Sequence, residues 1–201
     1  MAFRTENAPT AQPAASAAAA SATIAGMKSF AAALKGGDRR SIGRADNVVA
    51  AVRNEPERFE ELWACLADAD PLVRMRAADA LEKLSREDAA RFGKRKKELL
   101  SGRLDDGTAE VRWHPIAIEA RLALTATDAA VLVRKCDHYL RHDDSRIVRV
   151  MALQAAHDVA SRFPDLVKDL TAMLDFARAA PWSSLRARAR KLDVRQQGEG
   201  K

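Results

Sequence analysis

Trp113, His114 and Pro115 stand in a row, and Glu119 follows one helical turn beyond Pro115. An aromatic ring with a carboxylate nearby is a combination that catalytic sites use, so this stretch is the first candidate for chemistry. In "CDHYLRHDD", His138 and His142 are four residues apart, with Cys136 and Asp143 close by. Two histidines at that spacing share a helix face and could hold zinc. No His-Glu-x-x-His motif accompanies them and no third ligand stands at metal-binding spacing, so the expectation is a solvated, histidine-rich helix end with no metal. No glycine-rich phosphate loop or nucleophile elbow occurs, and the sequence implies no cofactor. Two basic runs remain. Arg91, Lys94, Arg95, Lys96 and Lys97 form one; Arg186, Arg188, Arg190 and Lys191 form the other. Either could bind an anion, or simply solubilise an outer face and finish the last helix. Aromatic side chains do not alternate with these cations, which counts against single-stranded nucleic acid.

The elements that must position these residues are helices. Alanine, leucine, arginine and acidic residues dominate the 201-residue chain, while aromatics make up only 5% and proline and glycine number 7 and 9. These residues lose little side-chain freedom in a helix, and no β-branched runs compete. Three segments align: "DPLVRMRAADALEKL" from Asp70, "TAEVRWHPIAIEARL" from Thr108 and "SRIVRVMALQAAHDV" from Ser145. Each has Val-Arg at the same place, and "PWSSLRARARKL" supplies Leu185-Arg186 as a fourth. Arg74, Arg112, Arg149 and Arg186 are thus spaced by 38, 37 and 37 residues. Apolar or small residues recur four, seven and eleven positions after each Val, the stripe of a buried helix face. Asp70, Thr108 and Ser145 sit where a capping side chain accepts a backbone N–H. Other helices run between, so each period is a helix, a turn and a second helix.

A pair of about 37 residues whose second helix opens Asp-x-x-Val-Arg and continues with Ala77, Ala80, Leu81 and Leu84 resembles the HEAT repeat. The resemblance covers roughly Pro56 to Leu192. It implies an all-α fold, a right-handed superhelix of about four to five helix pairs, in which neighbours bury each other's apolar stripe. It also implies a structural role for Arg74, Arg112, Arg149 and Arg186, hydrogen-bonded to acids and carbonyls of the turns. Asp68 and Asp70, Asp105 and Asp106, and Asp143 and Asp144 precede three of them. The alternative is a row of cations tracking phosphates. The Trp-His-Pro stretch then becomes one repeat position filled differently. Trp113 aligns with Met75 and Val150, His114 with Arg76 and Met151, and Pro115 with Ala77 and Ala152. Pro115 is expected to kink its helix. Glu119 takes the place of Leu81 and Ala156 and needs a partner, for which Arg112 or Arg149 are candidates.

The expected function is a non-enzymatic scaffold that docks a protein along the second-helix face, with Arg76, Asp79, His114, Arg121 and Arg146 as candidate groove residues. The alternative is a basic surface for nucleic acid, including a DNA glycosylase of the alkylation-repair kind that would use Trp113 and Glu119. A net charge of +6 and a pI near 9.6 are compatible with either. Cys65 and Cys136 are too few for a secreted disulfide framework and, about two periods apart, too distant to pair, so both are expected as free thiols. No apolar run approaches a membrane span; a cytoplasmic protein is expected, and a monomer. Residues 1–22 and 195–201 read as disordered tails flanking a repeat domain over 23–194. The first tail is poor in acids, but its one arginine, Arg4, makes a weak targeting segment.

Overall fold

A computed structural model describes residues 29–36, 44–102, 104 and 107–198. The tail expected over 1–22, and Asp105 and Asp106, lie outside these residues. All regular structure among the described residues is helical. The first pair joins α1 (Phe30–Leu34) to α2 (Ala45–Asn54). In the second, a 3₁₀ turn at Pro56–Arg58, α3 (Phe59–Ala64) and another turn at Cys65–Ala67 precede α4 (Pro71–Glu87). The third has a 3₁₀ segment at Ala89–Arg95, then α5 (Lys96–Leu100), then α6 (Ala109–Glu119). The fourth is α7 (Ala126–His142) with α8 (Arg146–Ala160). A turn at Pro164–Leu166, α9 (Val167–Ala179) and α10 (Ser183–Gly198) complete the fifth. The last helix runs on to Gly198 instead of stopping at Val194, because Arg195, Gln196 and Gln197 favour a helix.

The second helices form one continuous layer, α2 against α4, α4 against α6, α6 against α8 and α8 against α10. The first helices form the other layer; Phe92 meets the stacked rings of Phe59 and Trp63 edge-on and links two of its members. The positions that recur in sequence are the ones buried between layers. Val73, Ala77, Ala80 and Leu84 in α4 are matched by Val148, Ala152, Ala155 and Val159 in α8, all at most 2% exposed.

This core is divided. One cluster runs from Phe30 to Leu122, the other from Ile116 to Leu192. They meet on α6 and the turn after it, where Ile116 and Ala120 belong to the second and Ile118 and Leu122 to the first. The same helix carries Pro115 inside it, which removes one rung of its hydrogen-bond ladder, yet α6 runs unbroken through it.

Helix starts follow the expected positions with different chemistry. Asp70 caps α4 through Leu72 N–H at 2.9 Å, with Pro71 behind it. Thr108 and Ser145 occupy cap positions, but neither side chain makes a capping bond. At Ser145 an acid two residues earlier fixes the turn instead: Asp143 accepts the Ser145 N–H at 2.8 Å, as Asp68 accepts the Asp70 N–H at 2.8 Å beside the Asp70 cap. The first helix of the fourth pair is capped by Thr125 in a reciprocal box with Asp128.

Candidate functional site

The arginine period has a common geometry. Arg74 donates to the carbonyls of Asp68 and Ala69 at 2.7 and 3.0 Å. Arg112 donates to Gly107 O at 2.7 Å and reaches the Asp143 carboxylate of the next pair with two nitrogens at 3.1 and 3.2 Å. Arg149 donates to Asp143 O, to Leu140 O at 3.0 Å and to Arg141 O at 3.1 Å, with its guanidinium over the Trp182 ring. Arg186 donates to Ala180 O at 2.8 Å. Each guanidinium thus closes the turn that leads into its own helix. A planar fork with five donors holds turn carbonyls in a fixed geometry, whereas a lysine ammonium is a point charge on a flexible stem.

The same turn-closing arginine, repeated between paired helices stacked in two layers, is the pattern of one known repeat. A family model described as HEAT repeat domain matches residues 33–192. The chain belongs to the HEAT repeat family. No curated protein and no solved structure matches it.

Within the HEAT array, Trp113 and Glu119 do not form an open site. Glu119 has no exposed surface, and both its oxygens accept from Lys135 Nζ of α7 at 2.9 and 3.0 Å. Its partner is therefore Lys135, not Arg112 or Arg149, whose guanidiniums are held at the turns. Trp113 packs half-buried against the second core cluster and stacks on His114, ring centroids 3.6 Å apart.

Two of the five groove candidates do not line a surface. Arg76 is 2% exposed and spends its guanidinium on Leu34 O and Gly36 O at 2.7 and 2.6 Å. Gly36 adopts φ 75°, a conformation only glycine enters at no cost, and this places the turn after α1 within reach. His114 is 3% exposed, wedged between α6 and α4 with Nε2 4.0 Å from Asp79. Both occupy the flank of a second helix that faces the preceding one, which the single-helix pattern cannot distinguish from the groove. Arg188 uses that flank too, donating to Gln154 of α8 at 2.7 Å.

Asp79, Arg121 and Arg146 reach solvent. Asp79 and Asp46 share Lys83, at 2.9 and 2.7 Å. Burial lowers the Lys83 pKa, but the two carboxylates more than offset this and the net shift is upward. Arg121 reaches Glu82 at 2.8 Å and Ser85 Oγ at 2.8 Å. Burial of Glu82 raises its pKa; hydrogen bonds and charge from Arg86 and Arg121 reverse that and leave it below the usual carboxylate range. The charges on α4 and the end of α6 therefore neutralise each other. Arg146 is exposed and has no ion pair among the described residues.

The first basic run is largely committed. Arg91 donates to Val52 O at 3.2 Å, Arg95 pairs with Glu60 and Glu98, and Lys96 pairs with Asp128 at 2.5 Å. Lys94 and Lys97 of that run are exposed and pair with no acid among the described residues. In the second run Arg186 closes a turn, while Arg190 and Lys191 are exposed and pair with no described acid. His138 and His142 stand 4.9 Å apart between ring centroids, beside an open cavity of about 300 Å³. Arg134, Asp137, Arg141 and Asp169 also line it, over a floor of Val133 and Met173. No three potential metal ligands gather anywhere among the described residues. No described helix is long and apolar enough to cross a membrane. Both cysteines are buried free thiols.

The half-exposed apolar column was the feature least visible in the alignment. Met75, Trp113 and Val150 fill equivalent places on α4, α6 and α8, each partly open to solvent. Beside Val150, Ile147 is 49% exposed. The signal is the repeated register itself: one position after each turn-closing Arg74, Arg112 and Arg149, the residue is large and apolar where solvent exposure would favour a polar one.

Proposed function

We propose that this protein is a docking scaffold that binds a protein partner across the second-helix layer. A HEAT array presents a repeated surface capable of protein interaction. The observation that carries the reading is the apolar column of Met75, Trp113 and Val150, continued by Ile147 with the exposed Arg146 next to it in the chain. Partly desolvated apolar residues inside a polar rim are the anatomy of a protein interface. The commitment of Arg91, Arg95 and Lys96 in the first basic run, and the burial of Glu119, favour this over nucleic-acid chemistry.

A photo-crosslinking side chain placed at Val150 tests the proposal, with Val131 on the outer layer as control. A discrete adduct formed from position 150, absent from position 131 and lost on Ile147→Glu, is expected. Equal labelling from both positions, or none from position 150, refutes it.

A further inference from the structure

The charges of the second-helix layer are not evenly spent. On its first half, Asp46, Asp79 and Lys83 form one group and Glu82, Arg86 and Arg121 another, each containing its own counter-charge. On its last half, Arg146 of α8 and Arg190 and Lys191 of α10 have no carboxylate partner among the described residues, and Arg188 has only the neutral Gln154. Two acids stand nearby. Asp144 is exposed in the turn before α8, and Asp158 is 48% exposed, held by Gln154 at 2.7 Å. Four cations against two acids leave this end positive. The same end carries the most exposed large apolar residue of the layer, Ile147, at 49%, with Val150 and Met151 half-open on the same helix and Ala187 open on α10.

We infer that the α8–α10 end of this layer binds an acidic protein segment that presents apolar side chains. The inference rests on the docking reading above and adds the chemistry of the partner. Apolar contacts at Ile147 and Val150 supply the contact area, and carboxylates of the segment meet Arg146, Arg188 and Lys191. A cationic rim around an apolar centre selects against basic segments, because like charges brought together on docking cost more than the apolar contact returns.

The test uses the full chain and four fluorescent probes, read by anisotropy. The probes are an amphipathic peptide with Leu at helical spacing and Glu elsewhere, its Lys counterpart, the Glu peptide with Ser for Leu, and a short DNA duplex. The Glu-Leu peptide is expected to bind, with affinity falling as salt rises. Arg146→Glu with Lys191→Glu, and separately Ile147→Ser, should each weaken it about tenfold, a typical cost of losing one good interface contact. Lys94→Glu with Lys97→Glu on the outer layer should not. All substituted residues are exposed, and circular dichroism confirms that each variant is folded. Binding of the Lys peptide in an Ile147-dependent way overturns the partner chemistry and leaves docking intact. Tighter binding of the duplex, equal binding of the Ser peptide, or no binding of any probe overturns the inference. Adducts from position 150 in the crosslinking experiment bear on the docking reading alone.

Discussion

Among single residues, the buried pair of Glu119 and Lys135 stands where the other units are apolar. Glu119 is wholly buried and Lys135 nearly so, with 13% of its side chain exposed. Two charges removed from water are costly, and each needs the other. Glu119→Ala or Lys135→Ala should therefore cost about 3–5 kcal/mol in urea unfolding, whereas Glu119→Leu with Lys135→Met should recover most of it. Equal losses in the single and double variants would show that the pair is not coupled. The need for a partner was legible at Glu119, but not which one. Lys135 belongs to the first helix of the following pair, and its register depends on how pairs stack, which no spacing within one helix supplies. Cysteine chemistry follows from burial as well. Burial, with the charges of Glu61 and Asp68, pushes the Cys65 thiol up to about 11. Neither Cys65 nor Cys136 should react with a thiol reagent at pH 8 until the chain is unfolded, when two thiols should titrate; prompt reaction of the native protein would contradict their burial.

At the scale of the element, helix ends set the pH response. The hydrogen bond from Lys96, then those from Thr125 at the cap of α7, hold the Asp128 carboxyl down at about 2. A carboxyl whose pKa is depressed by folding stabilises the folded state above its unfolded value near 4, and that contribution is lost as pH falls from about 4 toward 2. Asp128→Asn should lower the melting temperature at pH 7, and the gap from wild type should close as pH approaches 2. A gap unchanged with pH would mean that the carboxylate charge plays no part. Helix order and pairing were readable in the sequence because each Val-Arg unit repeats one physical solution, a stripe buried and a turn closed. The caps at Thr108 and Ser145 were placed correctly and explained wrongly. Asp143, two residues before Ser145, holds that turn, and the acid–cap spacing repeats at Asp68 and Asp70. The groove was half legible. Arg121 and Arg146 reach solvent, but Arg76 and His114 turn toward the preceding helix, and the two flanks of a second helix differ only in the presence of a neighbour.

At the scale of the molecule, the divided core makes α6 a joint. The first cluster and the second meet at this helix and the turn after it, and the helix lacks one internal hydrogen bond at Pro115 and is braced by polar contacts, among them Glu119 with Lys135 and Arg112 with Asp143. In repeat proteins each unit is stabilised by its neighbours alone, so damage stays local. Leu81→Ala and Leu153→Ala should each cost about 2–5 kcal/mol. Hydrogen exchange should rise in α2–α4 for the first and in α7–α10 for the second; a uniform rise in both would mean one cooperative core. The far end of the array shows how such a stack is kept from growing. Inner second helices bury Ala78, Ile116 and Leu153 at one position and Leu81, Glu119 and Ala156 three residues later. On α10 those places belong to Arg190, which is exposed, and Asp193, which pairs with Arg178. A second molecule arriving with its own open flank meets charge there, not grease. Converting both to leucine should turn a terminus into a sticky edge, and light scattering should then report chains of molecules lengthening with concentration, the fibre hazard that two polar side chains hold in check.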